Sequence, residues 1–209
     1  MLSLPGAFIG KDDNNQLAPS GSERRGIAGS PAKGPVQIHP VLATFRFSHL
    51  PRENPMKLKI GDPAPLFTAI ATDGSSIKLA DYLGTELVLY FYPMDDTPGC
   101  TKQACSLRDH SQEIRAKGAA ILGVSTQDVA SHQQFTEKYH LTFPLVADTD
   151  GVVAHAYGAI GGGGLISSAM SLLGVANRIT FIIDESGHIA HIIDKPDCAN
   201  HAEEVLKLL

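Results

Sequence analysis

Residues 86–105 read ELVLYFYPMDDTPGCTKQAC, and this stretch joins an apolar run to two closely spaced cysteines. Its first part, residues 86–92, is a nearly continuous apolar run with β-branched and aromatic members. Such a run is typical of a strand buried on both faces of a sheet. Thr97 and Pro98 then mark the start of a helix. The stretch therefore predicts a buried strand that leads directly into a helix carrying Cys100 in its first turn.

The chain after Met56 alternates between patterns typical of strands and of helices. Helices are predicted at about 100–117, 129–140, 151–158 and 202–209, and strands, besides 86–92, at 119–126, 143–148, 178–184 and 188–194. The last two strands form a hairpin around a turn that contains glycine. This order predicts an α/β sandwich with a central mixed sheet flanked by helices, which resembles a thioredoxin-like architecture.

The length of the chain, 209 residues, allows one sizeable core, so we expect one main domain with an extension. Residues 1–55 contain clusters of Asp, Asn, Ser, Gly and Pro without sustained periodicity, and we predict a disordered N-terminal extension. Residues 56–209 form the predicted domain. Composition leaves two interpretations of the extension open: a transit peptide, or residues that precede a working start at Met56.

The formal net charge of −5 argues against some classes of partner. An acidic domain repels phosphate backbones, so nucleic acid is not an expected partner. No apolar run approaches the roughly 20 residues that a membrane-spanning helix needs, so no membrane association is expected. Three cysteines are too few for a secreted disulfide scaffold, and they indicate a reducing compartment. We expect a cytoplasmic protein, or one of a plastid or other organelle if residues 1–55 are a transit peptide.

Three kinds of chemistry would account for the pair Cys100 and Cys105: a structural disulfide, part of a metal site, or a reactive thiol with a partner that attacks it. A reducing compartment disfavours the structural disulfide. A zinc site from these two cysteines, Cys198 and a histidine is disfavoured because C-x4-C lies at the edge of zinc-ligand spacings. Most of the nine histidines, His110 included, are expected at the surface, and Cys198 is expected to be a spare thiol.

The predicted position of Cys100 favours the reactive thiol. Free N–H groups and the positive end of the helix dipole favour an anion at a helix start, so the thiolate fraction should rise. The Thr97 hydroxyl is near enough in sequence to hydrogen-bond the sulfur or a group that attacks it. Asp95 and Asp96 would oppose a thiolate, so we expect both to face solvent. Arg178, at the head of a predicted strand, is the candidate for a compensating and partly buried cation.

Pro93, Thr97 and Cys100 form a P-x-x-x-T-x-x-C pattern that resembles the active site of peroxiredoxins. The segment TPGCTKQAC more narrowly resembles the peroxiredoxin Q, or bacterioferritin comigratory protein, subgroup. The resemblance runs from Met56 to Leu209 and includes GDPAPLF, LADYLG, LGVSTQD, FPLVADTDG and RITFIID. Few proteins combine the full Pro-Thr-Cys pattern with a downstream strand arginine, so the resemblance is specific.

The resemblance implies a thiol peroxidase that reduces hydrogen peroxide and organic hydroperoxides without a metal or organic cofactor. Cys100 would be the peroxidatic cysteine and Cys105 the resolving cysteine. Thr97 and Arg178 would orient the peroxide and stabilise the thiolate, and Pro93 would shield the pocket. The Cys100 sulfenic acid would be resolved as an intramolecular disulfide and recycled by thioredoxin or a similar dithiol, in a monomer or weak dimer. The alternative is a peroxide sensor or redox relay that passes its disulfide to a partner protein.

The spacing of the two cysteines places a condition on that disulfide. Residues five apart in an intact α-helix have Cα atoms roughly 8.7 Å apart and on different faces. A disulfide needs Cα atoms about 4.4–6.8 Å apart. We therefore expect the first turns of the helix to unwind before Cys105 bonds to oxidised Cys100.

The segment 159–177, AIGGGGLISSAMSLLGVAN, departs from the family pattern. Four consecutive glycines precede an apolar and mildly helical run. We expect a flexible loop that leads into a short packed helix. The alternative is an exposed apolar patch beside the active site, for an organic hydroperoxide or a partner protein, formed by Leu165, Ile166, Met170, Leu172 and Leu173.

Overall fold

The computed structural model of the chain describes residues 57–160 and 174–209. The predicted extension, residues 1–55, lies outside the described residues, and so does most of the glycine-rich segment, residues 161–173. The expectations about both stay predictions. Within the described ranges, no helix is long and apolar enough to cross a membrane.

The secondary structure follows the alternation predicted after Met56. The strands are β1 (Thr68–Ala71), β2 (Ser76–Lys78), β3 (Glu86–Phe91), β4 (Ala119–Ser125), β5 (Leu145–Ala147), β6 (Ile179–Ile183) and β7 (Ile189–Ile193). The helices are α1 (Pro98–Asp109), α2 (Ser111–Ala116), α3 (Val129–Tyr139), α4 (Val152–Ala156) and α5 (His201–Leu206), with a short 3-10 helix at Leu79–Tyr82. Each strand and helix predicted from the sequence has a counterpart among these elements.

The strands of the described residues form one mixed sheet in the order β2-β1-β5-β4-β3-β6-β7. β3, β4 and β5 run parallel to one another. β6 pairs antiparallel with β3, and β7 pairs antiparallel with β6. The hairpin of β1 and β2 extends the other edge, antiparallel to β5. The predicted mixed sheet of an α/β fold is therefore confirmed.

Two elements differ from the prediction. The helix predicted at about 100–117 is two helices, because His110 leaves the helical conformation (φ −105°, ψ 10°) and its imidazole hydrogen-bonds the Ser106 carbonyl at 3.0 Å. The hairpin of β1 and β2 carries no clear strand pattern in the sequence. Its strands are short, four and three residues, and mostly exposed or half-buried, so they lack the apolar run that identifies β3.

The apolar run of β3 contributes to a hydrophobic core on each face of the sheet. Leu87, Leu89 and Phe91 belong to one cluster of buried side chains, and Val88 and Tyr90 belong to a second cluster. Full burial of a large apolar side chain contributes roughly 1.5–3 kcal/mol. The second cluster includes buried residues of α1 and α5, so this face of β3 is the platform on which the helix with Cys100 packs.

Close packing in the second cluster depends on a glycine in the middle of β4. Gly123 lies opposite Tyr90 in the parallel pairing of β3 and β4. A β-carbon on Gly123 would lie 2.6 Å from Leu145 Cδ2 and 2.7 Å from Tyr90 Cζ. Both distances are shorter than van der Waals contact, and both neighbours are fully buried. The strand therefore needs a residue without a side chain at this position.

We predict that Gly123→Ala destabilises the domain by about 1–3 kcal/mol, because the added methyl group overpacks a core that has little room to relax. Urea unfolding followed by circular dichroism measures the change. Ala120→Ser on the same strand is the matched control, since it also adds one heavy atom but at a half-buried position. Equal unfolding midpoints for the two variants would contradict the prediction.

Candidate active site

Cys100 lies at the start of α1, as the sequence predicts. Thr97 precedes the first residue of the helix, Pro98, so Cys100 occupies the first turn. The Cys100 side chain is buried, with 1% exposure. The Nη2 atom of Arg178 donates a hydrogen bond to Cys100 Sγ at 3.2 Å. A guanidinium and the free amides of a helix start thus both favour a negative charge on this sulfur.

The pairing of β3 with β6 brings Arg178 to Cys100. Phe91, the last residue of β3, pairs with Ile179, the first residue of β6. Arg178 therefore lies at the end of the sheet where the chain leaves β3 and turns into α1. Its side chain is half-buried, in agreement with the partly buried cation expected from the sequence.

Three buried polar side chains stand behind Arg178, and sequence reasoning missed all of them. The Nη1 atom of Arg178 donates to Gln103 Oε1. Gln103 Nε2 lies 3.1 Å from His201 Nδ1, and His201 Nε2 lies 3.0 Å from Thr180 Oγ1. Gln103, His201 and Thr180 are each fully buried. The three residues belong to α1, α5 and β6, so Arg178 is connected to two helices and a strand through one chain of hydrogen bonds.

The directions of these hydrogen bonds follow from the donors and acceptors available. A guanidinium only donates, so Gln103 turns its carbonyl oxygen to Arg178 and its amide nitrogen to His201. That amide nitrogen donates, so His201 Nδ1 accepts and carries no proton. The ring proton is therefore on Nε2, which donates to Thr180 Oγ1. The arrangement assigns one amide orientation and one histidine tautomer.

The predicted solvent exposure of Asp95 is wrong. Asp95 is buried and accepts hydrogen bonds from Tyr92 Oη at 2.7 Å and Ser131 Oγ at 2.6 Å. His132 Nδ1 lies 2.8 Å from Asp95 Oδ2, and His132 Nε2 lies 3.1 Å from the Val146 carbonyl. Burial alone would raise the pKa of Asp95, but the bonds from His132, Ser131 and Tyr92 outweigh burial and lower it. Asp95 thus braces the turn between β3 and α1.

The other residues of this turn lie at its surface. Asp96 is exposed, as predicted, and adopts a left-handed conformation with φ 56°. It pairs with Lys138 at 2.6 Å and accepts a bond from the Tyr139 hydroxyl. Pro93 and Thr97 are half-buried, and the Thr97 hydroxyl donates to the Met94 carbonyl at 3.2 Å. The turn therefore places Pro93, Thr97 and Cys100 in one short loop and helix start.

Cys105 lies further along α1 and is half-buried. It shares the helix with Cys100, and the helix continues unbroken to Asp109, so the two cysteines cannot bond to each other in this conformation. Arg108 anchors that part of α1: its Nη1 donates to the Tyr139 carbonyl at 2.6 Å and its Nε to Asp109 at 2.9 Å. The bond with Asp109 raises the pKa of Arg108.

Cys198 lies much closer to Cys100 than the sequence suggests. A β-carbon built on Gly99 would lie 3.7 Å from Cys198 Sγ and 3.2 Å from Arg178 Nη2. The third cysteine is therefore a neighbour of the residue that precedes Cys100, and it is half-buried. All three cysteines are free thiols. Within residues 57–160 and 174–209, no group of three or more His, Cys, Asp or Glu side chains is placed to hold a metal ion.

Two comparisons identify the family. A model of the AhpC/TSA family matches residues 60–192. The putative peroxiredoxin bcp of Coxiella burnetii is 38% identical over 151 residues, which covers 72% of this chain and 98% of that protein. The chain is a peroxiredoxin of the AhpC/TSA family. The predicted resemblance to peroxiredoxin Q and the bacterioferritin comigratory proteins is confirmed.

Further relatives agree with this subgroup. The chloroplastic peroxiredoxin Q of Oryza sativa subsp. japonica is 36% identical over 157 residues, covering 73% of this peroxiredoxin and 67% of the rice protein. A solved structure of the bacterioferritin comigratory protein of Xanthomonas campestris matches with a TM-score of 0.63 and 31% identity, covering 72% of this chain and 94% of that one. The fold of this peroxiredoxin is therefore the thioredoxin-like fold predicted from the order of its elements.

The buried histidine of the site gives this peroxiredoxin a specific dependence of stability on pH. Burial, with a smaller contribution from the charge of Arg178, lowers the pKa of His201 from 6.5 to about 4. Between these two values the unfolded chain binds a proton that the folded protein does not bind. The free energy of unfolding therefore falls as the pH falls from about 6.5 to about 4.

We predict that this contribution amounts to about 3.5 kcal/mol at most, since one pKa unit corresponds to about 1.4 kcal/mol. His201→Gln removes the titrating group and should reduce the slope of unfolding free energy against pH in that window. Urea titrations of both proteins at a series of pH values between 4 and 7 measure the slopes. Parallel pH profiles for the wild type and His201→Gln would show that His201 is not the group responsible.

Proposed function

We propose that this peroxiredoxin reduces hydrogen peroxide and organic hydroperoxides at Cys100, that Cys105 resolves the oxidised form, and that thioredoxin or a similar dithiol recycles it. Membership of the family establishes the coarser activity, a thiol-dependent peroxidase. The observation that carries the proposal is the hydrogen bond from Arg178 Nη2 to Cys100 Sγ at the start of α1. It joins a buried sulfur to a fixed cation, as a nucleophilic thiolate requires.

The reaction begins with attack of the Cys100 thiolate on one peroxide oxygen. The O–O bond breaks, and negative charge develops on the departing oxygen, which leaves as water or an alcohol once it is protonated. The Arg178 guanidinium and the amides at the start of α1 are donors that stabilise this charge without reorganisation. The Thr97 hydroxyl already donates to the Met94 carbonyl, so its oxygen is free to accept a hydrogen bond from the hydroperoxide O–H. Pro93 shields the pocket from solvent.

The product on the enzyme is a Cys100 sulfenic acid. Attack by the Cys105 thiolate on the sulfenic sulfur forms the S–S bond and breaks the S–O bond, and the hydroxide that leaves takes up a proton from solvent to become water. The disulfide protects Cys100 from further oxidation. An external dithiol then reduces the disulfide by thiol–disulfide exchange.

Formation of that disulfide requires α1 to open at its start. The opening breaks the contacts of Gln103 with Arg178 and His201, and the bond from Ala202 N to Ser106 Oγ at 3.1 Å. These polar contacts tie the first turns of α1 to α5 and β6. Residues 100–106 therefore act as a local unit that opens while the rest of the domain stays folded.

Two relatives bear on substrate and location. Alkyl peroxide reduction activity is ascribed to the bacterioferritin comigratory protein of Xanthomonas campestris, which supports organic hydroperoxides as substrates here. The rice relative is named chloroplastic, which supports a plastid location if residues 1–55 are a transit peptide; the cytoplasm is the alternative.

A peroxide sensor that passes its disulfide to a partner protein is the second candidate function. For either function we expect a monomer or weak dimer.

We predict that Cys100→Ser abolishes consumption of hydrogen peroxide in the presence of thioredoxin, thioredoxin reductase and NADPH. Arg178→Ala should lower the rate constant of Cys100 oxidation by about 100-fold, the effect of losing one positioned donor. Arg178→Lys is the matched control that keeps the charge without the planar guanidinium, and its rate constant should fall between those of the wild type and Arg178→Ala. Retained turnover in Cys100→Ser would refute the peroxidase mechanism. A wild type that is oxidised by peroxide but not reduced by thioredoxin would favour the sensor.

We predict faster amide hydrogen exchange from Thr101 to Leu107 in the oxidised protein than in the reduced protein, because the disulfide and the intact helix exclude each other. Mass spectrometry of the protein after one equivalent of hydrogen peroxide identifies the bonded cysteines. Cys105→Ser should lose steady-state turnover, and Cys198→Ser should keep it near the wild-type value. Since Cys198 lies beside Gly99, a Cys100–Cys198 disulfide and a loss of turnover in Cys198→Ser would instead assign resolution to Cys198.

A further inference from the structure

The series of buried hydrogen bonds that begins at Arg178 includes a histidine, His201, that has no part in the proposed reaction. His201 opens α5 and is fully buried, as are its two partners, Gln103 and Thr180. Its ring nitrogens face Gln103 and Thr180, and neither of them hydrogen-bonds the Cys100 sulfur. Burial of an imidazole ring is costly unless both of its nitrogens form hydrogen bonds, as they do here. Only the Gln103 side chain separates the His201 ring from Arg178 in this series of bonds.

We propose that His201 is a positioning residue for the peroxide step, which acts through Gln103 to hold the Arg178 guanidinium against Cys100. The proposal rests on the proposed role of Arg178 in that step. It concerns the direction of the guanidinium, and the His201 ring itself stays away from the peroxide.

The two ends of the Gln103 amide are distinguished by their hydrogen bonds. Its oxygen and nitrogen ends have nearly the same shape, so packing alone does not distinguish them. With the amide turned over, its NH2 group would face the Arg178 guanidinium, a donor against a donor. The guanidinium, which only donates, selects the orientation in which the Gln103 oxygen faces Arg178, and His201 Nδ1 holds the amide there by accepting from its NH2 end.

Thr180 is the partner of the second His201 nitrogen. With Nδ1 accepting from Gln103, the Thr180 hydroxyl oxygen accepts from His201 Nε2, so both ring nitrogens have a partner. Thr180 lies two residues after Arg178, so both side chains point to the same face of the sheet. The strand that follows Arg178 therefore also carries the residue that holds the His201 ring in place.

A guanidinium held at two points has a fixed plane. Nη1 is held by Gln103 and Nη2 by Cys100 Sγ. Without the bond to Gln103, the half-buried Arg178 guanidinium would keep its contact with the Cys100 sulfur, but its Nη1 end would be free to turn toward water. The thiolate would lose part of its stabilisation, and the peroxide would meet a donor in a less favourable direction.

A purely structural role for His201 is the competing explanation, since His201 begins a helix that packs on α1. Other contacts also hold α5 against α1: Ala202 N donates to Ser106 Oγ at 3.1 Å, and Val205 is buried in the second hydrophobic cluster with residues of α1. A structural role predicts lower stability with unchanged chemistry at Cys100. A positioning role predicts altered chemistry at Cys100 beyond what lost stability causes.

The experiment measures the rate constant of Cys100 oxidation by hydrogen peroxide in a single turnover, and the pH dependence of Cys100 alkylation. His201→Leu should slow oxidation roughly tenfold, less than the about 100-fold expected when a donor itself is lost. The pH of half-maximal alkylation should move upward. Thr180→Val should change both in the same direction, and the conservative variants His201→Gln and Thr180→Ser should restore much of each.

Two further proteins separate the explanations. Val205→Ala is the matched control on α5: it should lower the melting temperature and leave both readouts at Cys100 unchanged. In the Arg178→Ala background, His201→Leu should cause no further slowing, because the two changes act through one group. Equal effects of His201→Leu and Val205→Ala on Cys100, or additive effects of His201→Leu and Arg178→Ala, would overturn the proposal. If Arg178→Ala alone leaves oxidation unchanged, the proposed role of Arg178 fails instead.

Discussion

The contact between Arg178 and Cys100 is the constraint on which the site depends. A buried thiolate without a nearby cation is strongly destabilised, and a guanidinium away from water needs acceptors of its own. The two residues are 78 positions apart, so the antiparallel register of β3 and β6 brings them together. A shift of that register by one residue would turn Arg178 to the opposite face of the sheet. The hydrophobic pattern that sets the register therefore also sets the charge beside the sulfur.

The start of α1 serves two needs that oppose each other. Attack on peroxide requires Cys100 to stay at a fixed helix start, whereas the proposed disulfide requires that start to unwind. Two kinds of contact, apolar packing and hydrogen bonds, hold different parts of this helix. Leu107, beyond the segment that opens, holds the helix to the second core, while Gln103 and Ser106 hold its first turns to α5 through polar contacts. Polar contacts exchange for water with a small net change in free energy, which suits a segment that opens in each cycle.

The parts of the fold with strong apolar patterns could be predicted from the sequence. β3, β4 and β6 are buried on both faces, and each reads as a continuous apolar run; the brief hairpin of β1 and β2 has no such run. Within the site, the placement of Cys100 followed from a local strand-to-helix signal. Asp95 and Gln103 could not be placed, because their partners His132 and His201 lie 37 and 98 residues away. Polar pairing across elements depends on their final packing, which no local pattern contains.

The residues of the site lie far apart in the sequence, so a newly synthesised chain has no complete site until it folds. Cys100 and the first turns of α1 form from residues that are synthesised well before the strand that follows Arg178 and the helix that begins with His201. Until β6 pairs with β3, the thiol has no guanidinium beside it and behaves as an ordinary cysteine. Reactivity toward peroxide therefore appears only when the long-range pairing is complete, so an unfinished or misfolded chain is less exposed to oxidation at Cys100 than the native protein.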